Sequence, residues 1–204
     1  MQEKDTYKTI KKISDGLYKD KGSKFISFAY PVLNEEDIKE ILNGLKKNYH
    51  DAHHHCYAWV LGYQKEYYKF NDDGEPSGTA GKPIYGQILS HDLCNILIVV
   101  IRYFGGTKLG VRGLINAYKG AAKDVIDNSI IIENVIQNFY RVHFEYTHMN
   151  DVMRVMKEHE LTQHAHDFAM DCRLEFSVRL SQSDKVIDQL GLIHGVRIEF
   201  LETK

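Results

Sequence analysis

Apolar positions along this chain recur in two rhythms, every second residue in some stretches and every third or fourth in others, and these rhythms predict the elements. Residues 8–13 and 23–32, rich in β-branched and aromatic residues and punctuated by Gly16 and Gly22, predict two strands. Asn34 is the expected N-cap of a helix over residues 35–47, with Ile38, Ile41, Leu42 and Leu45 on one face. Residues 54–62 and 67–70 predict paired strands across a short turn. A helix is expected over residues 79–90, carrying Ile84, Ile88 and Leu89 inward, with Pro83 in its first turn, where a missing N–H costs little. Residues 94–101 are almost continuously aliphatic, the pattern of a central strand covered on both faces. A loop over residues 102–113 leads to a helix over 114–128, with Ile115, Tyr118, Ala122, Val125 and Ile126 inward. Residues 130–132 are expected to close this part as a strand.

After that the rhythm changes. Residues 138–146, 161–168, 171–180 and 196–201 predict strands. Residues 150–159, and a segment from Ser181 or Ser183 to Ile193, predict helices. The order is βαββαβ, a ferredoxin-like arrangement. The boundary belongs near residues 133–137, giving one domain over 1–135 and a second over 136–204. The fold class is therefore α+β. No internal repeat and no low-complexity tract interrupts it.

Composition narrows the function classes. The 204 residues are 43% hydrophobic and 26% charged, enough apolar content to build a core. The formal net charge is −2, so any contact with nucleic acid must come from a local patch. The three cysteines are widely spaced and form no CxxC pair, which argues against a disulfide framework or a cysteine zinc site. The polar start of the chain predicts no signal sequence, and the longest aliphatic run, Ile96 to Ile101, is far shorter than the roughly 20 residues of a membrane span. A cytoplasmic protein without membrane contact and without a cofactor is expected.

Two polar segments carry candidate chemistry. The first joins the central strand to the following helix. Gly105, Gly106, Gly110 and Gly113 permit close backbone approach, Arg102, Lys108 and Arg112 bring positive charge, and a helix N-terminus attracts anions. With Tyr103 and Lys82 these residues make a candidate anion or nucleic-acid site, although the segment matches neither the Walker pattern nor GxGxxG. Tyr103, Phe104 and Tyr118 are aromatic candidates for base stacking, with core packing the alternative for Phe104 and Tyr118. The second segment runs over residues 72–83. Gly81-Lys82 is followed by Pro83, not by a Ser or Thr, so a nucleotide clamp is disfavoured. Asp72, Asp73, Glu75 and Ser77 form a candidate partner-contact loop. A metal set of Asp73, Glu75, His53 and His55 is the less favoured reading, since no HExxH-type spacing accompanies it. Cys56 beside histidines reads as a small buried residue in preference to a nucleophile, and no catalytic constellation is visible.

Taken in order, His54-His55-Cys56-Tyr57-Ala58-Trp59, the segment from Asp72 to Pro83, the segment from Arg102 to Gly110, Gly113-Leu114 and Ala117-Tyr118 resemble the signature of the IMPACT family, in its YigZ-like bacterial branch. The likeness spans roughly residues 15–130. It implies a first domain similar to domain IV of elongation factor G, and the remainder is similar to domain V of that factor. Eukaryotic members are implicated in control of translation initiation under amino-acid starvation. The resemblance thus implies a regulatory or binding protein that contacts RNA, the ribosome or a translation-linked protein, and it brings no catalytic residues. Alternatives are a metal-dependent hydrolase or phosphoryl-handling enzyme, and a protein-interaction module without nucleic acid. One departure stands out: Val111-Arg112 occupies a place where family members carry small residues.

Overall fold

A computed structural model describes residues 5–204; the first four, on which part of the signal-sequence expectation rests, lie outside the described residues. The described chain forms two compact units, Lys8–Asn134 and Val135–Lys204, the second joined by residues 5–7.

In the first unit the strands β2 (Ser14–Asp20), β3 (Ser23–Pro31), β4 (His54–Leu61), β5 (Tyr67–Asn71) and β6 (Ile96–Tyr103) form one sheet in the order β2-β3-β6-β4-β5. All four pairings are antiparallel. The central strand β6 is buried along nearly its whole length, as its aliphatic run predicts. Helix α1 (Glu35–Asn48) covers one face of this sheet, where Ile38 and Leu45 join Trp59, Leu97, Val99 and Ile101 in a core. Its start follows from local chemistry: the Asn34 side chain accepts from the Asp37 N–H at 2.8 Å, three acidic residues occupy the first turn, and Lys46 and Lys47 the last. Helices α2 (Gly81–Ser90) and α3 (Gly110–Asp127) bury Ile84, Ile88, Leu114, Ala117, Tyr118, Ala121, Ala122, Val125 and Ile126. Strands β1 (Thr6–Ile10) and β7 (Ile131–Val135) pair as a separate two-stranded sheet.

The second unit has β8 (Gln137–Glu145), α4 (Met149–Glu158), β9 (Thr162–Phe168), β10 (Asp171–Arg179), α5 (Ser183–Gly191) and β11 (Arg197–Thr203). The sheet order is β11-β8-β10-β9 with every pairing antiparallel, the ferredoxin-like arrangement. Val142, Phe144, Leu174 and Phe176 from the sheet pack with Val152, Met156, Val186 and Leu190 from the helices. Among the described residues no helix is long and apolar enough to cross a membrane.

Four expectations are corrected. Strand β2 occupies residues left unassigned between the two predicted N-terminal strands. It is a sheet edge, so its Asp15, Gly16 and Lys19 obscure the alternation, and register with β3 supplies the order instead. The central strand runs on to Tyr103, which puts Arg102 and Tyr103 in the sheet and not in the loop. Helix α3 begins at Gly110, four residues before the predicted Leu114, because packing of its apolar face overrides the low helix propensity of Gly110 and Gly113. Leu89 is 40% exposed: it lies about 100° around α2 from the buried Ile88.

Candidate anion-binding loop and the buried network beneath it

The three polar motifs of the first unit meet at one end of the central sheet. Strand pairing sets His54 of β4 and Phe25 of β3 opposite Arg102 of β6. A charged side chain at the end of a buried strand needs a counter-charge. Glu75 provides it: Arg102 Nη1 donates to Glu75 Oε1 at 2.6 Å, and both side chains are more than nine-tenths buried. The Tyr118 hydroxyl donates to the same oxygen at 2.9 Å. His54 Nε2 lies 3.9 Å from it. Cys56 Sγ reaches the Tyr118 hydroxyl at 3.3 Å and the Asp72 carbonyl at 3.0 Å. The guanidinium also lies over two rings, 5.5 Å from the Phe25 centroid and 5.6 Å from that of Phe104. Arg102 Nε is buried without a hydrogen-bond partner.

Burial pushes the Cys56 thiol far above its ordinary range; the Tyr118 hydroxyl bond works against that shift, and neighbouring carboxylates add to it. Tyr118 is raised for the same first reason, with Cys56 and Glu75 adding to the effect. Cys56 is thus a neutral packing group and not a thiolate nucleophile. Tyr118 is fully buried, which removes it from the base-stacking candidates.

The loop over residues 72–80 is held by its own carboxylates. Asp72 accepts backbone N–H bonds from Gly78, Ala80 and Gly81 at 2.8, 3.0 and 2.8 Å, so the N-terminus of α2 already holds an anion from its own chain. Asp73 accepts the His55 N–H at 2.6 Å and lies 3.6 Å from Lys46. His54 Nδ1 bonds the Asp73 carbonyl, and His55 Nε2 bonds the Tyr49 carbonyl. Asp72, Asp73 and Glu75 therefore serve the fold first, while Ser77 at the loop tip is exposed. Among the described residues no group of three or more His, Cys, Asp or Glu is placed to hold a metal ion; His53 is exposed, and His55, Asp73 and Glu75 have the partners given above.

The Gly-rich loop itself spans residues 104–109. Gly105 passes so close to Gly22 that an added Cβ would lie 1.9 Å from the Gly22 carbonyl carbon, and its N–H donates to Ser23 Oγ. Gly106 and Gly110 adopt left-handed φ values of 84° and 71°. Lys108 and Arg112 are exposed, and α3 begins without a side-chain cap. Val111 and Arg112 lie in its first turn facing solvent, where their bulk is accommodated. Lys82 is exposed on α2. Tyr103 is half-buried, its hydroxyl donating to Asp51 at 2.7 Å, a bond that lowers the Asp51 pKa and raises that of Tyr103. The expected anion set is thus divided: Lys82, Lys108 and Arg112 face solvent, while Arg102 is an internal strut, a correction to its predicted role. A lone Arg beside an aliphatic run was the signal that a buried carboxylate must answer it, though not which one.

A family model described as Impact N-terminal domain matches residues 21–126. The chain belongs to the IMPACT family. Similar relatives include IMPACT family member YvyE of Bacillus subtilis (strain 168), 33% identical over 153 residues, covering 75% of this chain and 70% of that protein. IMPACT family member YigZ of Escherichia coli (strain K12) is 39% identical over 108 residues, covering 52% and 53%. A solved structure described as "Crystal structure of an hypothetical protein" has a TM-score of 0.73 at 24% identity, covering 98% of each chain, which is a likeness of fold. The motifs that carry the IMPACT resemblance are the same ones that build the Glu75–Arg102 network and the loop above it.

Proposed function

We propose that this IMPACT family member is a cytoplasmic, translation-associated binding protein that contacts RNA, free or in the ribosome, through the exposed part of its Gly-rich loop. One observation carries the reading: Lys108, on the Gly-rich loop, and Arg112, in the first turn of the 18-residue helix that follows it, stay exposed at a helix start that has no side-chain cap. Exposed cations and the backbone amides of a helix N-terminus suit phosphate oxygens. Family membership supports the link to translation, given the regulatory role that the resemblance implies for eukaryotic members.

The test is binding of the purified protein to ribosomal subunits and short RNAs across a salt series. The comparison is the double variant Lys108→Ala, Arg112→Ala, with Arg102 left in place. Binding that weakens with salt, and a shallower salt dependence in the variant, is the expected result. Equal binding by both proteins would remove the loop from the contact.

A further inference from the structure

The first unit exposes an aromatic cluster at a distance in sequence from the Gly-rich loop. On the edge strand β5, Tyr68 is 53% exposed and Phe70 39%. Residues two apart on a strand share a face. Tyr85, on α2, packs against both. Its ring lies 4.9 Å from that of Tyr68 with planes 19° apart, and 5.7 Å from that of Phe70 with planes 32° apart. Tyr68 and Tyr85 are stacked and Phe70 is tilted against Tyr85; Tyr68 and Phe70 are exposed, and Tyr85 is half-buried between the two elements. Aromatic rings in an isolated core pair usually meet edge to face or offset and are covered. This stack is uncovered, and large exposed aromatic patches mark interaction sites. Lys82, exposed and three residues before Tyr85 on α2, projects from the same side of the helix.

We propose that the Tyr68–Tyr85–Phe70 stack is a platform for the bases of single-stranded RNA, with Lys82 meeting the backbone phosphate. Exposed aromatic rings beside a cation suit unpaired nucleotides, since every base offers a π-face and every nucleotide a phosphate. The platform rests on the RNA reading above and deepens it, because it specifies unpaired over duplex RNA: bases inside a helix are stacked already and cannot reach the rings.

The experiment is fluorescence anisotropy of labelled oligouridylate and oligoadenylate 12-mers, beside a labelled RNA duplex, with four proteins. These are the wild type, Tyr68→Leu/Tyr85→Leu, Tyr68→Phe/Tyr85→Phe, and Lys108→Ala/Arg112→Ala. Leucine keeps an apolar side chain at each position and removes the π-face; phenylalanine keeps the π-face. Circular dichroism and thermal melting confirm that each variant folds. The expected result is about tenfold or more weaker single-strand binding by the leucine variant, with unchanged salt slope, and near wild-type binding by the phenylalanine variant. Duplex binding is expected to be weaker than single-strand binding in the wild type. Single-strand binding unchanged by the leucine pair would overturn the platform, and the stack would then belong to a protein partner. That result, combined with loss in the Lys108/Arg112 variant, leaves the loop reading intact. Loss only in the leucine variant removes the loop and keeps the platform. Absence of RNA binding by the wild type overturns both.

Discussion

Arg102 and Glu75 lie 27 residues apart in the chain, and the guanidinium Nη1 of one donates to the carboxylate Oε1 of the other at 2.6 Å inside the fold. The contact pins the polar loop of residues 72–80 to the end of the central strand. It also explains why the arginine at the end of the central strand, next to a cationic loop, is buried while the loop's own cations face solvent. Removing either partner leaves a buried charge unanswered. Glu75→Ala and Arg102→Ala are each expected to destabilise the first unit by about 3–5 kcal/mol, with a smaller loss for the paired apolar replacement Glu75→Leu/Arg102→Met. Urea titration of the three proteins checks this, and a single-variant loss below about 1 kcal/mol would mean that water reaches the pair.

Asp72 acts as the anion of the α2 N-terminus through three backbone amides. Asp72→Ala is expected to cost about 1–3 kcal/mol, and Asp72→Asn less. Amide hydrogen exchange reports the site directly: Gly78, Ala80 and Gly81 should lose protection in the alanine variant, while amides in β6 keep theirs under native conditions.

Cys56, Cys94 and Cys172 are all buried. Burial raises the Cys56 and Cys172 thiols above their ordinary range. In the folded protein at pH 8, thiol reagents should label them slowly, and denaturant should release all three for rapid labelling. Fast stoichiometric labelling of Cys56 in the native state would contradict the placement of its sulfur against Tyr118.

Acid should act on the second unit through Asp5. The hydrogen bond from Arg179 holds the Asp5 carboxyl at about 2, below its ordinary 3.8, with Ser181 contributing. A depressed folded-state pKa means stability that is present above the unfolded value and lost as pH falls. The window is therefore from about pH 4 down to about pH 2. Asp5→Asn should flatten the stability profile of the second unit in that window, read from its thermal midpoint across pH; an unchanged slope would exclude the pair as a contributor.

Much of this architecture is legible locally. The capping by Asn34, the spacing of Ile38, Ile41, Leu42 and Leu45, and the βαββαβ order of the second unit are found where the patterns place them. These features depend on residues one to four apart, and that is the range over which periodicity and caps act. Where glycines or an edge strand dilute the pattern, as in β2 and the start of α3, the order comes from neighbours across the sheet.

The sequence by itself determined the family motifs, the α+β order of elements and a Gly-rich cationic loop after the aliphatic strand. Only the tertiary structure decided which cations are free. Strand register placed Arg102 between His54 and Phe25, loop closure brought Glu75 to it, and Tyr85 came to rest on Tyr68 and Phe70 from another element. The physical reason is that a buried charge or a shared ring face is satisfied by proximity in space. Proximity between residues 27 or 17 apart is set by packing of the whole unit and leaves no trace in local spacing.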